Sequence, residues 1–339
     1  MDTVRPAPAQ DESPAPSVAL TQWVIRAEEL TRRFENTVAV DRLNLSIARG
    51  EIFGLIGPDG AGKTTALRML AAVMRPTSGE ARILGYDVTR QAEKLRRRLG
   101  YMAQRFSLYT DLTVWENLSF YANVYGVHGK ERAERLAALL AFSRLEEFRG
   151  RRAGALSGGM QKKLALACTL IHRPDIVLLD EPTTGVDPIS RREFWDLLAG
   201  LHVQGVTIVV STPYMDEAER CSRVGLIYEG RLIECDTPAA LAARVPGEML
   251  AVRTPQTALA RACLAGLPGV LSAQTYGDVV HVIVEKPRTP QDAALVEPSI
   301  RAALETHGVP VHDIRRAPPR IEDAFITLIQ QRRAGAPAQ

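Results

Sequence analysis

An apolar run, Ile52-Phe53-Gly54-Leu55-Ile56, leads straight into Gly57-Pro58-Asp59-Gly60-Ala61-Gly62-Lys63-Thr64-Thr65, and an apolar-periodic stretch from Ala66 to Val73 follows. Strand, glycine loop and helix in that order confine the chain to an α/β fold with a loop cradled between sheet and helix. The glycines let successive backbone N–H groups curl around phosphate oxygens, and the helix N-terminus adds its positive dipole. Lys63 is then placed to reach the β- and γ-phosphates, and Thr64 to put its hydroxyl on Mg²⁺. The segment predicts a P-loop that binds a nucleoside triphosphate. Asp59 adds a carboxylate near the phosphates and is expected to face solvent.

Two further motifs lie downstream. Leu156-Ser157-Gly158-Gly159-Met160-Gln161 stands about twenty residues before Ile176-Val177-Leu178-Leu179-Asp180-Glu181-Pro182. Four apolar residues ending in an aspartate read as a strand buried on both faces, delivering a carboxylate to the edge where open α/β sheets bind ligands. Asp180 can hold Mg²⁺ through water there. Glu181, one residue beyond, can polarise an attacking water as general base. Ser157 takes an N-cap position ahead of apolar Leu164, Ala165, Ala167, Cys168 and Ile171, with Gly158 and Gly159 leaving room for close approach. An ordinary cap on a buried helix is the alternative, although capping alone does not account for two glycines.

Taken together, the three motifs resemble the P-loop, signature and Walker B segments of ABC-type ATPases over about residues 23–240. The resemblance implies an ABC nucleotide-binding domain: an α/β core, an antiparallel β flank and an inserted helical subdomain. It implies Mg²⁺ and ATP bound between the P-loop of one protomer and Ser157-Gly158-Gly159 of another. By the same resemblance Phe34 stacks on adenine. Gln104, in Gly100-Tyr101-Met102-Ala103-Gln104-Arg105, contacts Mg²⁺ or water and hinges the helical subdomain. Asp187, in Gly185-Val186-Asp187, lines the protomer interface, and it is also placed to cap a helix begun by Pro188. Thr64, Gln104 and Asp180 are thus the expected metal-side residues.

One departure stands out. The segment Ser211-Thr212-Pro213-Tyr214-Met215-Asp216-Glu217-Ala218-Glu219 carries proline where the family's switch histidine normally stands. Proline offers neither a titratable proton nor an N–H. His202 lies before the apolar strand Val206 to Val210 and is expected at its opposite end.

The chain has 339 residues, 46% hydrophobic, with net charge +3, which suits a soluble globular protein with a main domain and a small one. No nucleic-acid footprint is implied. Cys168, Cys221, Cys235 and Cys263 show no CxxC spacing, so reduced thiols are expected. No apolar run reaches the ~18–20 residues needed to cross a bilayer. Residues 1–20, with Pro6, Pro8, Pro14 and Pro16, lack a secretory pattern and read as a disordered tail. The ATPase domain is expected over 21–244, with its helical subdomain at about 105–156, which carries Phe106, Tyr109, Trp115, Phe120, Tyr121 and Tyr125. A Pro-Gly break at Pro246-Gly247 precedes a small α+β accessory domain over 248–332, and 333–339 read as a flexible tail. The basic runs Arg96-Arg97-Arg98 and Arg149-Gly150-Arg151-Arg152, with Lys162-Lys163, read as solvated helix faces.

The end Pro319-Arg320-Ile321-Glu322-Asp323-Ala324-Phe325-Ile326 is similar to the terminal segment of ABC-2-type and drug-export ATPase subunits. Three functions follow as expectations. The first is an energy-coupling ATPase at the cytoplasmic face of the membrane, paired with a second nucleotide-binding subunit and held there by a separate permease. The second is a soluble ABC ATPase. The third is a nucleotide-gated subunit that scarcely hydrolyses ATP, motivated by Pro213.

Overall fold

The computed structural model describes residues 23–105, 108–286 and 289–335. Two long strands, β1 (Trp23–Phe34) and β2 (Thr37–Ala48), form an antiparallel hairpin, and the chain then enters β3 (Ile52–Ile56) and α1 (Lys63–Leu70). β4 (Ser78–Ile83) and β5 (Tyr86–Asp87) return to the hairpin and complete a sheet of order β2-β1-β4-β5. Both strands are long because register shifts near Glu29, whose φ is 49°, absorb the polar Glu28-Glu29 pair as a bulge rather than ending the pairing. The helix after the loop starts at Lys63 rather than Ala66, so Lys63 and Thr64 project from its first turn.

After α2 (Ala92–Arg96) and β6 (Leu99–Met102) come three helices, α3 (Val114–Val124), α4 (Gly129–Ser143) and α5 (Gly158–Thr169). The chain then alternates through β7 (Ile176–Asp180), α6 (Pro188–Val203), β8 (Thr207–Thr212), β9 (Arg223–Tyr228), β10 (Arg231–Asp236) and α7 (Pro238–Ala242). The main sheet has order β10-β9-β3-β8-β7-β6, parallel except where β10 pairs antiparallel with β9. Every residue of β3 and β7 is buried, and their side chains divide between two cores. Phe53, Leu55, Ile176 and Leu178 pack with α1 and the antiparallel flank, whereas Ile52, Ile56, Val177 and Leu179 pack with α5 and α6. Continuous apolar strands are what a sheet covered on both faces requires.

The helical insert has its own core, with Leu118 and Ala122 of α3 and Leu136 and Leu140 of α4 packed on Leu164, Cys168 and Ile171. Its entry is tightly set. Thr113 and Glu116 form a capping box at α3, and fully buried Asn117 donates to the carbonyls of Tyr109, Leu112 and Thr113 while accepting from Tyr109 N–H. Tyr109, Trp115, Phe120 and Tyr125 remain 36–47% exposed; Phe106 lies outside the described residues.

The C-terminal part contains β11 (Glu248–Arg253), α8 (Thr257–Leu264), β12 (Val270–Tyr276), β13 (Val279–Val284), α9 (Pro290–Thr306), β14 (Asp313–Arg316) and α10 (Ile321–Gly335). Its antiparallel sheet has order β12-β13-β11-β14. One face packs Leu250, Val252, Val280 and Val282 against Leu264 of α8 and Ile300 and Leu304 of α9. Across the other face lies α10, which joins two bodies: Ala324 meets Ile283 and Val245, and Ile321 and Phe325 enter the core of the six-stranded sheet beside Leu241 and Ala218. A buried polar cluster fixes the contact. Asp323 Oδ1 meets His281 Nδ1 at 3.2 Å and accepts from Tyr276 Oη at 3.3 Å, while Oδ2 accepts from Arg320 N–H at 2.9 Å. Because α10 continues to Gly335, the tail boundary expected at 333 falls inside a helix; the N-terminal tail 1–20 and residues 336–339 lie outside the described residues.

Candidate functional site

The site is built at the C-terminal edges of β3, β7 and β8, where loops leave the parallel sheet. Glycine is forced at two loop positions by contact rather than by composition. At Gly57 a Cβ would lie 2.1 Å from the Ile227 carbonyl oxygen, and at Gly62, whose φ is +100°, it would lie 2.3 Å from that of Ala39. The loop is thereby wedged between β9 and the hairpin. Asp59 and Gly60 are exposed, Pro58 is half-buried and Ala61 is buried, so Asp59 does face solvent.

Lys63 is only 3% exposed. Its Nζ donates to the carbonyls of Gly57 at 2.8 Å and Pro58 at 2.9 Å, and pairs with Glu181 Oε1 at 3.3 Å. Thr64 Oγ1 donates to Asp180 Oδ1 at 3.0 Å, and Ser211 Oγ donates to the same oxygen at 2.7 Å. Asp180 is fully buried, and its Oδ2 has no protein partner. A buried carboxylate oxygen left without a donor, beside a threonine hydroxyl and a P-loop, fits a cation there.

Glu181 follows with φ 47°, a conformation that a non-glycine residue adopts at a cost of order 1–3 kcal/mol. It is held there from several sides. Its N–H is bonded by Ser211 through both the carbonyl and the hydroxyl, each at 3.1 Å, and its Oε2 accepts from Gln104 Nε2 at 2.8 Å and Thr184 Oγ1 at 3.3 Å. Strand pairing of Asp180 with Ser211 places Pro213 just beyond the same sheet edge, so the proline does occupy the side of the site. Around it, Arg191 lies 4.1 Å over the Tyr214 ring and 3.8 Å from buried Glu217, which accepts from Thr183 at 2.7 Å. None of these replaces an imidazole. His202 ends α6 ahead of β8, at the opposite end of that strand.

The signature glycines separate into two kinds. Gly159 is buried, and a Cβ on it would lie 2.4 Å from the Ser190 side chain at the start of α6. Gly158 is exposed, with only the Gly185 carbonyl within 4 Å of such a Cβ. Ser157 is exposed too and caps α5, accepting from Met160 N–H at 3.3 Å. Asp187 caps α6 through Ile189 N–H at 3.1 Å and Ser190 N–H at 2.9 Å; the Ser190 bond foremost holds its carboxyl below the usual carboxylate range. Ser157, Gly158, Gly185, Asp187 and the 74%-exposed Ile189 therefore open toward solvent from neighbouring segments. Phe34 closes the β1–β2 hairpin, 39% exposed, with the Arg32 guanidinium 4.5 Å over its ring.

One group was missed in the sequence. Lys162 was read with Lys163 as part of a solvated face, but Lys163 is buried and paired with Glu193, and Lys162 donates to the Gln104 carbonyl at 3.2 Å. Two adjacent lysines look alike in one dimension; only the packing of α5 shows that Lys163 is buried and that Lys162 reaches the Gln104 loop.

Residues 40–184 match the ABC transporter family model. Over 311 residues the chain is 34% identical to the daunorubicin resistance ATP-binding protein DrrA2 of Streptomyces coeruleorubidus, covering 91% of this chain and 96% of DrrA2. The chain belongs to the ABC transporter ATP-binding family. It is also 44% identical over 312 residues to the probable multidrug ABC transporter ATP-binding protein YbhF of Escherichia coli, and spans 52% of that protein's length. Among solved structures, cbiO1 of Clostridium perfringens, part of the ABC transporter complex cbiONQ, superposes with TM-score 0.61 at 27% identity over 73% of this chain and 96% of cbiO1. The ATP-binding cassette MJ0796, solved as a dimer in a post-hydrolysis state bound to ADP and Pi, does so with TM-score 0.58 at 28% identity over 63% of this chain and 98% of that one. As a member of the ABC ATP-binding family the chain has a nucleotide as its ligand.

Proposed function

We propose that the chain is the ATP-hydrolysing subunit of an ABC exporter, coupling head-to-tail closure of two nucleotide-binding subunits to a separate membrane permease. The observation that carries the reading is the convergence of Lys63, Gln104 and Ser211 on Glu181 beside the P-loop. Multidrug transport in the name of YbhF and daunorubicin resistance in that of DrrA2 are what we read as export. No described helix is long and apolar enough to cross a membrane, which fits an assembly whose pore is another chain.

In this reading the glycine loop and Lys63 bind the β- and γ-phosphates, and Phe34 stacks on adenine. Thr64, Asp180 and Gln104 are the residues that would hold Mg²⁺, which when bound would supply neutralisation of the charge developing on the transferred phosphoryl group. Glu181 takes the proton of the attacking water, and Gln104 orients the carboxylate through the Oε2 contact. Ser157 and Gly158 of one copy face the triphosphate held by the other, next to Asp187 and Ile189. Gly159 serves instead to let α5 approach α6. Pro213 favours a second reading, in which closure on ATP does most of the work and hydrolysis is slow.

The test is phosphate release by the purified chain and by Glu181→Gln, with recovery of the chain alongside a polytopic membrane protein. Release that depends on Glu181 supports the hydrolase. Equal trace rates from both proteins would leave the gating reading in its place, and recovery only with ribosomes or DNA would reject the transporter.

A further inference from the structure

Three observations meet at one side chain. Lys162 lies on α5, the helix whose first turn is capped by exposed Ser157. Its ammonium leaves the helix surface and bonds the Gln104 carbonyl at 3.2 Å, and the Gln104 amide bonds Glu181 at 2.8 Å. Beside this chain of contacts is a cavity of about 310 Å³ lined by Gln104, Gly158, Lys162, Thr184 and Gly185, so the signature, the Gln104 loop and the segment after Glu181 share one space. Lys162 is half-buried. Burial pulls its pKa below the ordinary lysine value, against the attraction of Glu181 and then Asp180.

Its neighbour makes the contrast. Lys163 points the other way, into a partly buried ion pair with Glu193 of α6, and its role is to pack α5. Lys162 has no ion pair among the described residues, and its one hydrogen bond is to a loop carbonyl. Among the described residues it is the one side-chain hydrogen bond from α5 to the Gln104 loop, beside the apolar packing of Leu108 on the core of Leu164 and Ala167. Helix α5 is well packed through Leu164, Ala167 and Cys168, and a displacement of its capped end along the helix would be carried to Lys162 one and a half turns on.

We propose that Lys162 is a positioning residue for hydrolysis, tying the signature helix to Gln104 and hence setting the placement of Glu181. The inference rests on the proposed function, since Ser157 must engage the partner copy's triphosphate for the tie to matter. Engagement of Ser157 then moves α5, Lys162 carries the Gln104 backbone with it, and the Gln104 amide aligns Glu181 for the water in the same protomer. In this way occupancy of one ATP site reaches the carboxylate of the other without a switch histidine, whose position Pro213 holds.

The experiment compares wild type, Lys162→Met and Lys162→Arg in the full-length chain, reading phosphate release against ATP concentration, Mg·ADP affinity and melting temperature. Methionine keeps the apolar stem and removes the donor; arginine keeps a cationic donor. The expected result is kcat lowered about 10- to 100-fold in Lys162→Met, the scale of a small misplacement of a catalytic group. The half-saturating ATP concentration and ADP affinity stay within about twofold of wild type, and the Hill coefficient falls toward one. Lys162→Arg recovers most of the rate. A Lys162→Met kcat within twofold of wild type, or an equal loss in Lys162→Arg, would overturn the proposal. Glu181→Gln measured alongside separates the two ideas: if its phosphate release vanishes while Lys162→Met matches wild type, the hydrolase stands and the tie does not.

Discussion

Neutralising Glu181 should tighten nucleotide binding, because Lys63 is shared between this carboxylate and the place a β-phosphate must take. The Lys63–Glu181 pair is 3.3 Å long with side chains only 3% and 7% exposed. At an effective dielectric near 20 the gross attraction is about 5 kcal/mol. Desolvation of both charges offsets most of it, leaving a net of about 1–2 kcal/mol. Binding a phosphate exchanges that pair for phosphate oxygens, so the pair opposes binding by its net strength. Glu181→Gln retains an oxygen for Lys63 but not the charge, and it also removes repulsion between carboxylate and phosphate. Mg·ADP affinity should therefore rise about 10-fold in Glu181→Gln at neutral pH, 1.4 kcal/mol per factor of ten. Calorimetric titration with ADP reads this without turnover, and Lys63→Ala in the same series should lose most of its affinity. Unchanged or weaker ADP binding in Glu181→Gln would refute the competition between carboxylate and phosphate for Lys63.

Further outcomes follow from single contacts. Asp180→Asn should abolish the Mg²⁺-dependent increment of ATP affinity while leaving metal-free binding within about threefold, because Oδ2 is the unpartnered oxygen; titration with and without EDTA checks it. Gly159→Ala should destabilise the fold by about 1–3 kcal/mol, since its Cβ would meet Ser190 at 2.4 Å, whereas Gly158→Ala should melt like wild type yet lose phosphate release. Differential scanning calorimetry and the rate assay distinguish the two. The docking of α10 should weaken in acid. Burial pushes the Asp323 carboxyl up, but bonds from His281, Arg320 N–H and Tyr276 outweigh it and hold it below 3.8. Its stabilisation is therefore full above that value and lost as pH falls through the folded-state pKa. Asp323→Asn should flatten that acid limb in a melting-temperature series below pH 5.

How far the sequence could be read depended on whether the determining contacts were local. The strand–loop–helix around Gly57–Thr65, the Asp180-Glu181 strand end and the caps at Ser157 and Asp187 are local patterns, and the structure places each on the expected kind of element. The short strands β4, β5 and β14 carry little periodic signal and exist because β1, β4 and β11 in turn offer them an edge. Likewise, nothing in Ile321-Glu322-Asp323-Ala324-Phe325 says that Ile321 and Phe325 pack on the nucleotide domain while Ala324 and Asp323 face the C-terminal sheet. Gly159 and Lys162 show the same limit at the site. Their surroundings come from Ser190 and Gln104, residues 31 and 58 positions away in the chain.

The account depends most on two copies closing over shared nucleotide. Sedimentation of Glu181→Gln with saturating Mg·ATP, against the same protein with Mg·ADP, tests that directly. A dimer with ATP that reverts to the monomer with ADP, and that Ser157→Arg abolishes, is the predicted result. A molecule that stays monomeric with bound Mg·ATP, or whose dimer is indifferent to Ser157, would contradict it.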